Sequence, residues 1–145
     1  MLDRSLIGKQ YPKVNFEIEK QRLIFFSKST GQTDPVYFDE AYAKSKGHPS
    51  LLAPPTFLTT VGYQQDKPYE YLDDINIPIS RILHAGQSYT YFSPIYAGDN
   101  LKMNSYIKDI YDKKKGSLQF LVFFSNFHNQ KKIKVAEMLS TLVIK

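Results

Sequence analysis

The chain has 145 residues, of which 42% are hydrophobic and 23% charged, so it is long enough to bury its own core as one domain over residues 1–145. It contains no cysteine, which excludes disulfides, thiolate nucleophiles and thiolate metal sites. Its net charge is +5, and no apolar stretch has the length of a membrane span or a signal peptide. These features predict a cytoplasmic protein without a membrane segment.

The first part of the chain is predicted to hold one strand and two helices. Residues 13–18 can form the strand, and residues 19–29 place several apolar side chains on one side of a helix. A second helix is predicted over residues 39–46, because acidic side chains favour its first turn and lysines its last turn. Gly31 and Pro35 predict a turn between the two helices.

A short apolar helix is predicted after the double proline at residues 54–55. Proline suits the start of a helix, where amide hydrogens have no partner within the helix. Phe57 and Val61 then lie one turn apart on the same side, and Gly62 allows another backbone to approach closely.

Residues 66–80 are predicted to form one long irregular connection, a kind of segment that often acts as a lid or a binding loop. The connection contains Glu70, Asp73 and Asp74. Because no metal-ligand spacing accompanies these carboxylates, they are expected to be solvated and not to bind a cation.

The second part of the chain has the pattern of four strands, over residues 81–93, 101–111, 117–128 and 132–144. The second of these alternates apolar and polar side chains, whereas the third begins with a continuous apolar run that is expected to be buried on both faces. The short breaks predict antiparallel neighbours. The element order therefore predicts an α+β fold, in which a curved antiparallel sheet wraps around a central helix.

Two lysine clusters, at residues 113–115 and 131–134, fall in predicted turns. They are expected to be solvated hairpin tips. The alternative is a basic rim that docks coenzyme A phosphates, an acidic carrier protein or another acidic chain, with the protein acting as a binding module alone. No nucleic acid partner is predicted, since no basic helix face or basic-aromatic RNA motif is present.

Three stretches together resemble the MaoC-like dehydratases: TGQTDPVYFDEAYAK at residues 30–44, LLAPPTFLTTVGY at residues 51–63, and HAGQSYTYFSPIYAGDNL at residues 84–101. The resemblance is strongest to the N-terminal-half type, which forms separate subunits of (3R)-hydroxyacyl-acyl-carrier-protein dehydratases. It implies a hot-dog fold whose units pair side by side. The implied chemistry is reversible addition of water to an enoyl thioester in fatty acid metabolism.

Active members of that family supply an Asp and a His from a loop of pattern G-D-x-N-P-x-H, which matches residues 31–37 here. Gln32 stands in place of the Asp and Tyr37 in place of the His. A glutamine amide does not titrate, and a tyrosine with a pKa of about 10 is a poor base at neutral pH. The resemblance therefore implies a subunit without intact catalytic residues. Such a subunit binds an acyl thioester of coenzyme A or acyl carrier protein and pairs with a second hot-dog chain, as a heterodimer or a homodimer.

The 11 tyrosines and 10 phenylalanines suit either a thick core or an apolar tunnel for the acyl chain. For each aromatic candidate, ordinary core packing is the alternative to a ligand contact. The predicted substrate-binding residues are Pro55, Thr56, Phe57, Gly62, Tyr63, His84, Gln87, Tyr89, Tyr91 and Phe92.

His84 supports an alternative, an independent homodimeric hydratase, dehydratase or thioesterase that uses Asp34 and His84 as its acid and base. A structural role for His84, bonded to loop or interface backbone, is favoured. On a regular strand His84 and Gln87 point to opposite faces, so they line one pocket only if Gly86 makes a bulge. No metal or cofactor is predicted, since the histidines lack metal-ligand spacing and no phosphate-binding glycine loop is present.

Overall fold

One five-stranded antiparallel sheet forms the scaffold of the protein in a computed structural model that describes residues 1–145. Its strands follow the order β1 (Val14–Glu17), β3 (Asn100–Lys113), β4 (Leu118–His128), β5 (Lys134–Ile144) and β2 (Ile82–Tyr91). The four predicted C-terminal strands and the short N-terminal strand are confirmed, so the long strands β3, β4 and β5 form the centre of the sheet.

The helices are short and lie mainly in the first half of the chain. The helices α1 (Lys20–Ser29) and α2 (Glu40–Ser45) confirm the two predicted N-terminal helices. Asp39 caps α2 by accepting a hydrogen bond from the Tyr42 amide at 3.0 Å. No helix is long and apolar enough to cross a membrane. The α-helices are α1 (Lys20–Ser29), α2 (Glu40–Ser45) and α3 (Tyr71–Ile75), and 3₁₀ helices cover Arg4–Leu6, Pro35–Tyr37, Phe57–Gln64 and Ile79–Arg81.

The helix after the double proline is a 3₁₀ helix, Phe57–Gln64, here called the inner helix. Its sequence explains the tighter winding, because the β-branched run at residues 59–61 and Gly62 have weak α-helix propensity. Phe57 and Val61 are buried against the sheet, as their spacing predicted. The inner helix thus takes the central position expected for this fold.

The connection at residues 66–80 is more ordered than predicted. It contains α3, and the 3₁₀ helix Ile79–Arg81 begins within it and leads into β2. Ile75 is buried and anchors α3 over the sheet. The turn-rich composition concealed this helix, since only five residues are helical.

Strand β4 is not buried on both faces as its apolar run predicted. Leu121 and Phe127 point inward and are buried, whereas Phe120 and Phe124 on the outer face are half-buried. Tyr111 stacks on Phe120 with ring centroids 4.8 Å apart, so aromatic side chains on neighbouring strands cover part of that face instead of another layer.

The inner face of the sheet supports two separate apolar clusters. The first joins the inner helix and α1 to the sheet and includes Leu23, Val61 and Phe127. The second lies beneath α3 and includes Ile75 and Leu121. Each fully buried side chain of this size stabilises the fold by about 1.5–3 kcal/mol.

Candidate functional site

A cavity of about 340 Å³, here called the main cavity, opens on the inner face of the sheet. Its walls come from the inner helix, the 66–80 connection and strands β2 to β5. It borders both apolar clusters, because Met103 belongs to the first and Leu142 to the second. This volume lies within the range of small-molecule pockets.

Aromatic side chains form one wall of the main cavity. Tyr63 of the inner helix meets Tyr69 of the connection edge to face, with ring centroids 6.3 Å apart. Tyr71 makes a similar contact with Phe123 of β4 at 5.0 Å. Tyr69 and Tyr71 were not among the predicted site residues. The signal that could have found them is the density of tyrosines in the run PYEYL.

Asp74 holds the 66–80 connection to the N-terminal segment and is not a freely solvated carboxylate. It accepts hydrogen bonds from the Tyr11 hydroxyl at 2.8 Å and from the Lys9 ammonium. These bonds, the one from Lys9 first, hold the pKa of Asp74 below its ordinary value. Burial and the bond to Asp74 raise the pKa of Tyr11, so its phenol stays protonated and remains a donor. Glu70 and Asp73 are exposed, as predicted.

The sheet floor of the main cavity carries serine hydroxyls among apolar side chains such as Met103 and Met138. The hydroxyls of Ser105 and Ser125 are hydrogen bonded at 2.8 Å, and Ser140 pairs with Gln87 across β5 and β2. These serines were not among the predicted site residues. The two-residue spacing of Ser105 from the apolar Met103 could have placed it on the inner face.

His84 and Gln87 both line the main cavity, which requires an irregular strand. The pairing of β2 with β5 skips a residue between His84 and Gly86, so Ala85 is the bulged residue. The predicted bulge is therefore present, one residue before the glycine. His84 Nε2 lies 2.9 Å from Gln87 Oε1, so the partner of this nitrogen within the chain is the Gln87 side chain.

The other predicted binding residues do not share the main cavity with Gly62, Tyr63, His84 and Gln87. Pro55, Phe57, Tyr91 and Phe92 line a second cavity of about 380 Å³ together with Tyr37. The two cavities lie at different ends of β2, so the ten candidates do not form one tunnel.

Thr56 and Tyr89 line neither cavity. Thr56 starts the inner helix with a φ of 72°, and its amide donates to the Tyr91 hydroxyl at 3.3 Å. Tyr89 packs against the first apolar cluster, and its hydroxyl is hydrogen bonded to Thr59. For Tyr89, core packing describes its surroundings better than a ligand contact.

The loop at residues 31–37 keeps its predicted shape. Gly31 has a φ of 72°, and the Asp34 carboxylate accepts a hydrogen bond from the Val36 amide at 3.0 Å. Gln32 is half-buried. Burial, followed by the charge of Asp34, raises the pKa of Tyr37, so this phenol is no base at neutral pH.

Asp34 and His84 are not brought together within one chain. Asp34 caps the 3₁₀ helix that carries Tyr37 beside the second cavity, whereas His84 lines the main cavity. His84 and Tyr91 are seven residues apart on β2, or roughly 20 Å at the usual rise of a strand. The acid–base pair of the alternative hypothesis therefore has no support from the geometry of a single chain.

The two lysine clusters lie at opposite ends of β4, which has 11 residues. Residues 113–115 run from the last residue of β3 into the turn before β4, and residues 131–134 run from the turn after β4 to the first residue of β5. Strands of this length separate the turns by roughly 35 Å. The clusters are hairpin tips, as favoured, and do not combine into one basic rim.

Comparisons with known proteins agree with this architecture. The sequence model of the family described as "FAS1-like, dehydratase domain region" matches residues 5–138. A UPF0336 protein of Streptomyces coelicolor is 33% identical over 110 residues, which cover 75% of this chain and 73% of the relative.

Solved structures share the fold at low sequence identity. One belongs to the C-terminally truncated HadBC complex, a 3R-hydroxyacyl-ACP dehydratase from Mycobacterium tuberculosis, with a TM-score of 0.78, 23% identity and coverage of 92% of both chains. Another belongs to the ChsH1–ChsH2 complex of the same organism, with a TM-score of 0.70, 16% identity and coverage of 97% of this chain and 99% of that chain. The resemblance to MaoC-like dehydratases is thereby confirmed, and this chain belongs to the FAS1-like dehydratase-region family of hot-dog proteins.

Proposed function

We propose that this chain is the acyl-chain-binding subunit of an (R)-specific enoyl-thioester hydratase or (3R)-hydroxyacyl-ACP dehydratase in fatty acid metabolism, with residues 1–145 acting as one hot-dog domain. The observation that carries the proposal is the main cavity. It keeps an aromatic wall and a volume of about 340 Å³, although the loop that supplies acid and base in the family reads Gln32 and Tyr37.

The chemistry requires a base for the C2 proton, an acid for the leaving hydroxyl and a donor for the thioester oxygen. A second hot-dog chain with an intact Asp and His supplies the acid and the base. This chain contributes the surface that desolvates the acyl chain, at about 0.8 kcal/mol for each buried methylene. The aromatic wall of Tyr63, Tyr69 and Tyr71 suits that role.

Two features support a hot-dog partner. Strand β2 lies at the edge of the sheet, and exposed apolar side chains accompany it, with Leu83 47% and Phe92 55% exposed. Long apolar edge strands are normally covered by another chain or element. In addition, the names of two structural relatives describe complexes, HadBC and ChsH1–ChsH2.

The direct test measures hydration of crotonyl-coenzyme A and of a long-chain 2-enoyl-coenzyme A by the purified chain, alone and together with a hot-dog chain that retains the Asp and His. We expect background activity from the lone chain and a gain in activity on long acyl thioesters when the two chains are combined. An activity of the lone chain that is lost in His84→Ala would contradict the proposal.

The alternative, an independent homodimeric hydratase, dehydratase or thioesterase using Asp34 and His84, is tested in the same assay. Thioester hydrolysis is followed in parallel with hydration, over a range of pH. Equal background rates of the wild type, Asp34→Ala and His84→Ala would remove this alternative.

A further inference from the structure

We infer that residues 66–77 form a flap that moves away from the sheet to open the main cavity, and that Asp74 is the latch that holds this flap closed. The flap carries Tyr69 and Tyr71 of the aromatic wall, so its movement opens one side of the cavity. The inference goes beyond the proposed function, because it concerns how a ligand reaches the cavity and does not depend on which ligand it is.

The backbone of the flap is hydrogen bonded only to itself. The amides of Leu72 and Asn76 donate to carbonyls three and four residues earlier, and no backbone hydrogen bond joins residues 66–77 to the rest of the chain. The N-terminal segment beside the flap is bonded to β3 instead, through the amides of Gly8 and Tyr11 at 2.8 and 2.9 Å. A segment without backbone bonds to the sheet can open locally while the sheet stays intact.

Asp74 makes the only side-chain hydrogen bonds between the flap and the rest of the chain. Its carboxylate accepts one bond from the Tyr11 hydroxyl at 2.8 Å and one from the Lys9 ammonium. Both donors lie on the N-terminal segment, and the Lys9 carbonyl is itself bonded to the Ile107 amide of β3 at 3.1 Å. Asp74 therefore connects a part that can move to a part that the sheet holds in place.

The apolar contacts of the flap are stronger at one end than at the other. Ile75 is buried, and Tyr71 packs against Phe123 with ring centroids 5.0 Å apart. Near the inner helix, Tyr69 meets only Tyr63, and these two side chains are 45% and 64% exposed. An exposed aromatic pair contributes little to holding a segment in place. The end next to the inner helix is therefore weakly held, whereas α3 makes the contacts that return the flap to the sheet.

The floor of the main cavity is closed to large molecules while the flap is in place. Ser125 and Met138 line the cavity, yet only 4% and 9% of their surface is exposed. A molecule larger than water reaches these side chains only if the aromatic wall moves aside. Movement of a segment that closes over a cavity is a common way to admit a ligand and then exclude water.

Thiol labelling tests the flap directly, because the chain has no cysteine of its own. Ser125→Cys places one thiol on the floor of the main cavity. Ser27→Cys is the matched control, since Ser27 is fully buried in α1 and lines neither cavity. The rate of labelling of the full chain by dithiobis(nitrobenzoate) is measured for each variant at increasing urea concentrations below the unfolding transition.

We expect the Ser125→Cys thiol to react faster than the Ser27→Cys thiol, at a rate that low urea concentrations leave unchanged. Opening of the flap exposes little surface, whereas global unfolding exposes the whole core and is promoted by urea. Met138→Cys, on the same floor, serves as the second variant if Ser125→Cys does not fold.

The role of Asp74 is tested by adding Asp74→Ala to Ser125→Cys. Removal of both bonds should raise the labelling rate roughly three- to tenfold, the ratio expected for hydrogen bonds to a charged group that is partly exposed. Asp73→Ala is the control, because Asp73 is exposed on the same helix and the substitution changes helix propensity in the same way. It should leave the labelling rate unchanged.

Three results would overturn the inference. If the Ser125→Cys and Ser27→Cys thiols react at the same rate, and both rates rise together in urea, then the cavity opens only when the whole chain unfolds. If the Ser125→Cys thiol reacts as fast as free cysteine, the cavity is permanently open and no flap closes it. Equal effects of Asp74→Ala and Asp73→Ala would show that Asp74 is not the latch.

Discussion

Asp74 shows how a single side chain organises the candidate site. Tyr71 and Tyr69 form the aromatic wall only if α3 and the turn before it stay over the sheet. The bonds that Asp74 accepts from Lys9 and Tyr11 join α3 to the N-terminal segment, which is itself tied to β3. Loss of these bonds would loosen the wall without touching the cavity floor.

Asp74→Asn is expected to lower the free energy of unfolding at pH 7 by about 1 kcal/mol, the usual loss for hydrogen bonds to a charged group that is partly exposed. The lowered pKa of Asp74 sets the pH dependence. A carboxylate whose pKa is lower in the folded than in the unfolded state makes its full contribution to the free energy of unfolding at pH values above its unfolded pKa of about 3.9. That contribution is lost as the pH falls through the pKa of the folded state. Urea unfolding of both proteins from pH 7 to pH 2 should therefore converge at the acid end.

Asp73→Asn is the control for this effect, because Asp73 lies on the same helix but is exposed. It should unfold like the wild type throughout this pH range. A difference between Asp74→Asn and wild type that stays constant down to pH 2 would show that the carboxylate charge is not the cause.

The backbone conformation of Gly31 gives a second prediction at a single residue. Its φ of 72° lies in the left-handed region, and a Cβ built on it meets no atom within 4 Å. Gly31→Ala should therefore cost about 1 kcal/mol of unfolding free energy from backbone strain alone. Thermal or urea unfolding measures the loss.

Gly62→Ala tests the same substitution without that strain. Gly62 has no positive φ, and its added Cβ would lie 3.9 Å from Gln65 Nε2, an ordinary contact. The free energy of unfolding of Gly62→Ala should stay within a few tenths of a kcal/mol of the wild-type value or rise. Equal losses at both glycines would rule out the left-handed backbone as the reason for Gly31.

Among the structural elements, strand β2 decides which of its predicted side chains face the main cavity. Its residues alternate between faces except at Ala85, which lets His84 and Gln87 share the inner face although they are three residues apart. Removing the bulged residue would bring their spacing to two, which a regular strand also places on one face. The fold is therefore compatible with deletion of Ala85. It is not compatible with deletion of any other residue in the centre of the strand.

Deletion of Ala85 should give a folded protein, because it leaves every other residue of β2 on its present face. Deletion of Ser88, which faces outward between Gln87 and Tyr89, should instead move one half of β2 to the wrong face and destabilise the protein severely. Circular dichroism and thermal unfolding distinguish the two deletions. Similar unfolding of both would mean that the bulge itself is required.

Element identity was largely predictable from sequence, whereas the division of the site was not. The period-two pattern in residues 101–111 and the double proline before Phe57 report local preferences, which survive in the fold. The separation of Tyr91 from Tyr63 into different cavities depends on how β2 crosses the inner helix, and α3 depends on the burial of Ile75. Both are tertiary effects that no local pattern encodes.

At the scale of the whole molecule, the two edges of the sheet are unequal. Strand β1 has four residues, and β2 has ten. A short edge gives a poor template for another strand, whereas a long apolar edge invites pairing. Assembly is therefore expected through β2, with either a second copy or a different hot-dog chain.

Leu83→Lys should weaken this assembly, because it places a charge on β2 at a side chain that is 47% exposed in the single chain. Sedimentation velocity of the purified chain, alone and with its partner, measures the change toward monomer. Ile133→Lys is the matched control, since Ile133 is 49% exposed but lies in the β4–β5 turn. Equal effects of the two variants would exclude β2 as the contact.

The contact between Thr56 and Tyr91 affects whether substitutions in this chain could restore catalysis. The Thr56 amide, at the start of the inner helix, already donates to the Tyr91 hydroxyl at 3.3 Å. Under the proposed function, the thioester oxygen needs a donor, for which a backbone amide at a helix start such as that of Thr56 is suited. Substitutions that restore Asp at position 32 and His at position 37 would return the acid and the base but would leave the Thr56 amide occupied by Tyr91. A lineage would then need a third change, at Tyr91, before selection could favour renewed catalysis, which makes the specialisation of this subunit difficult to undo.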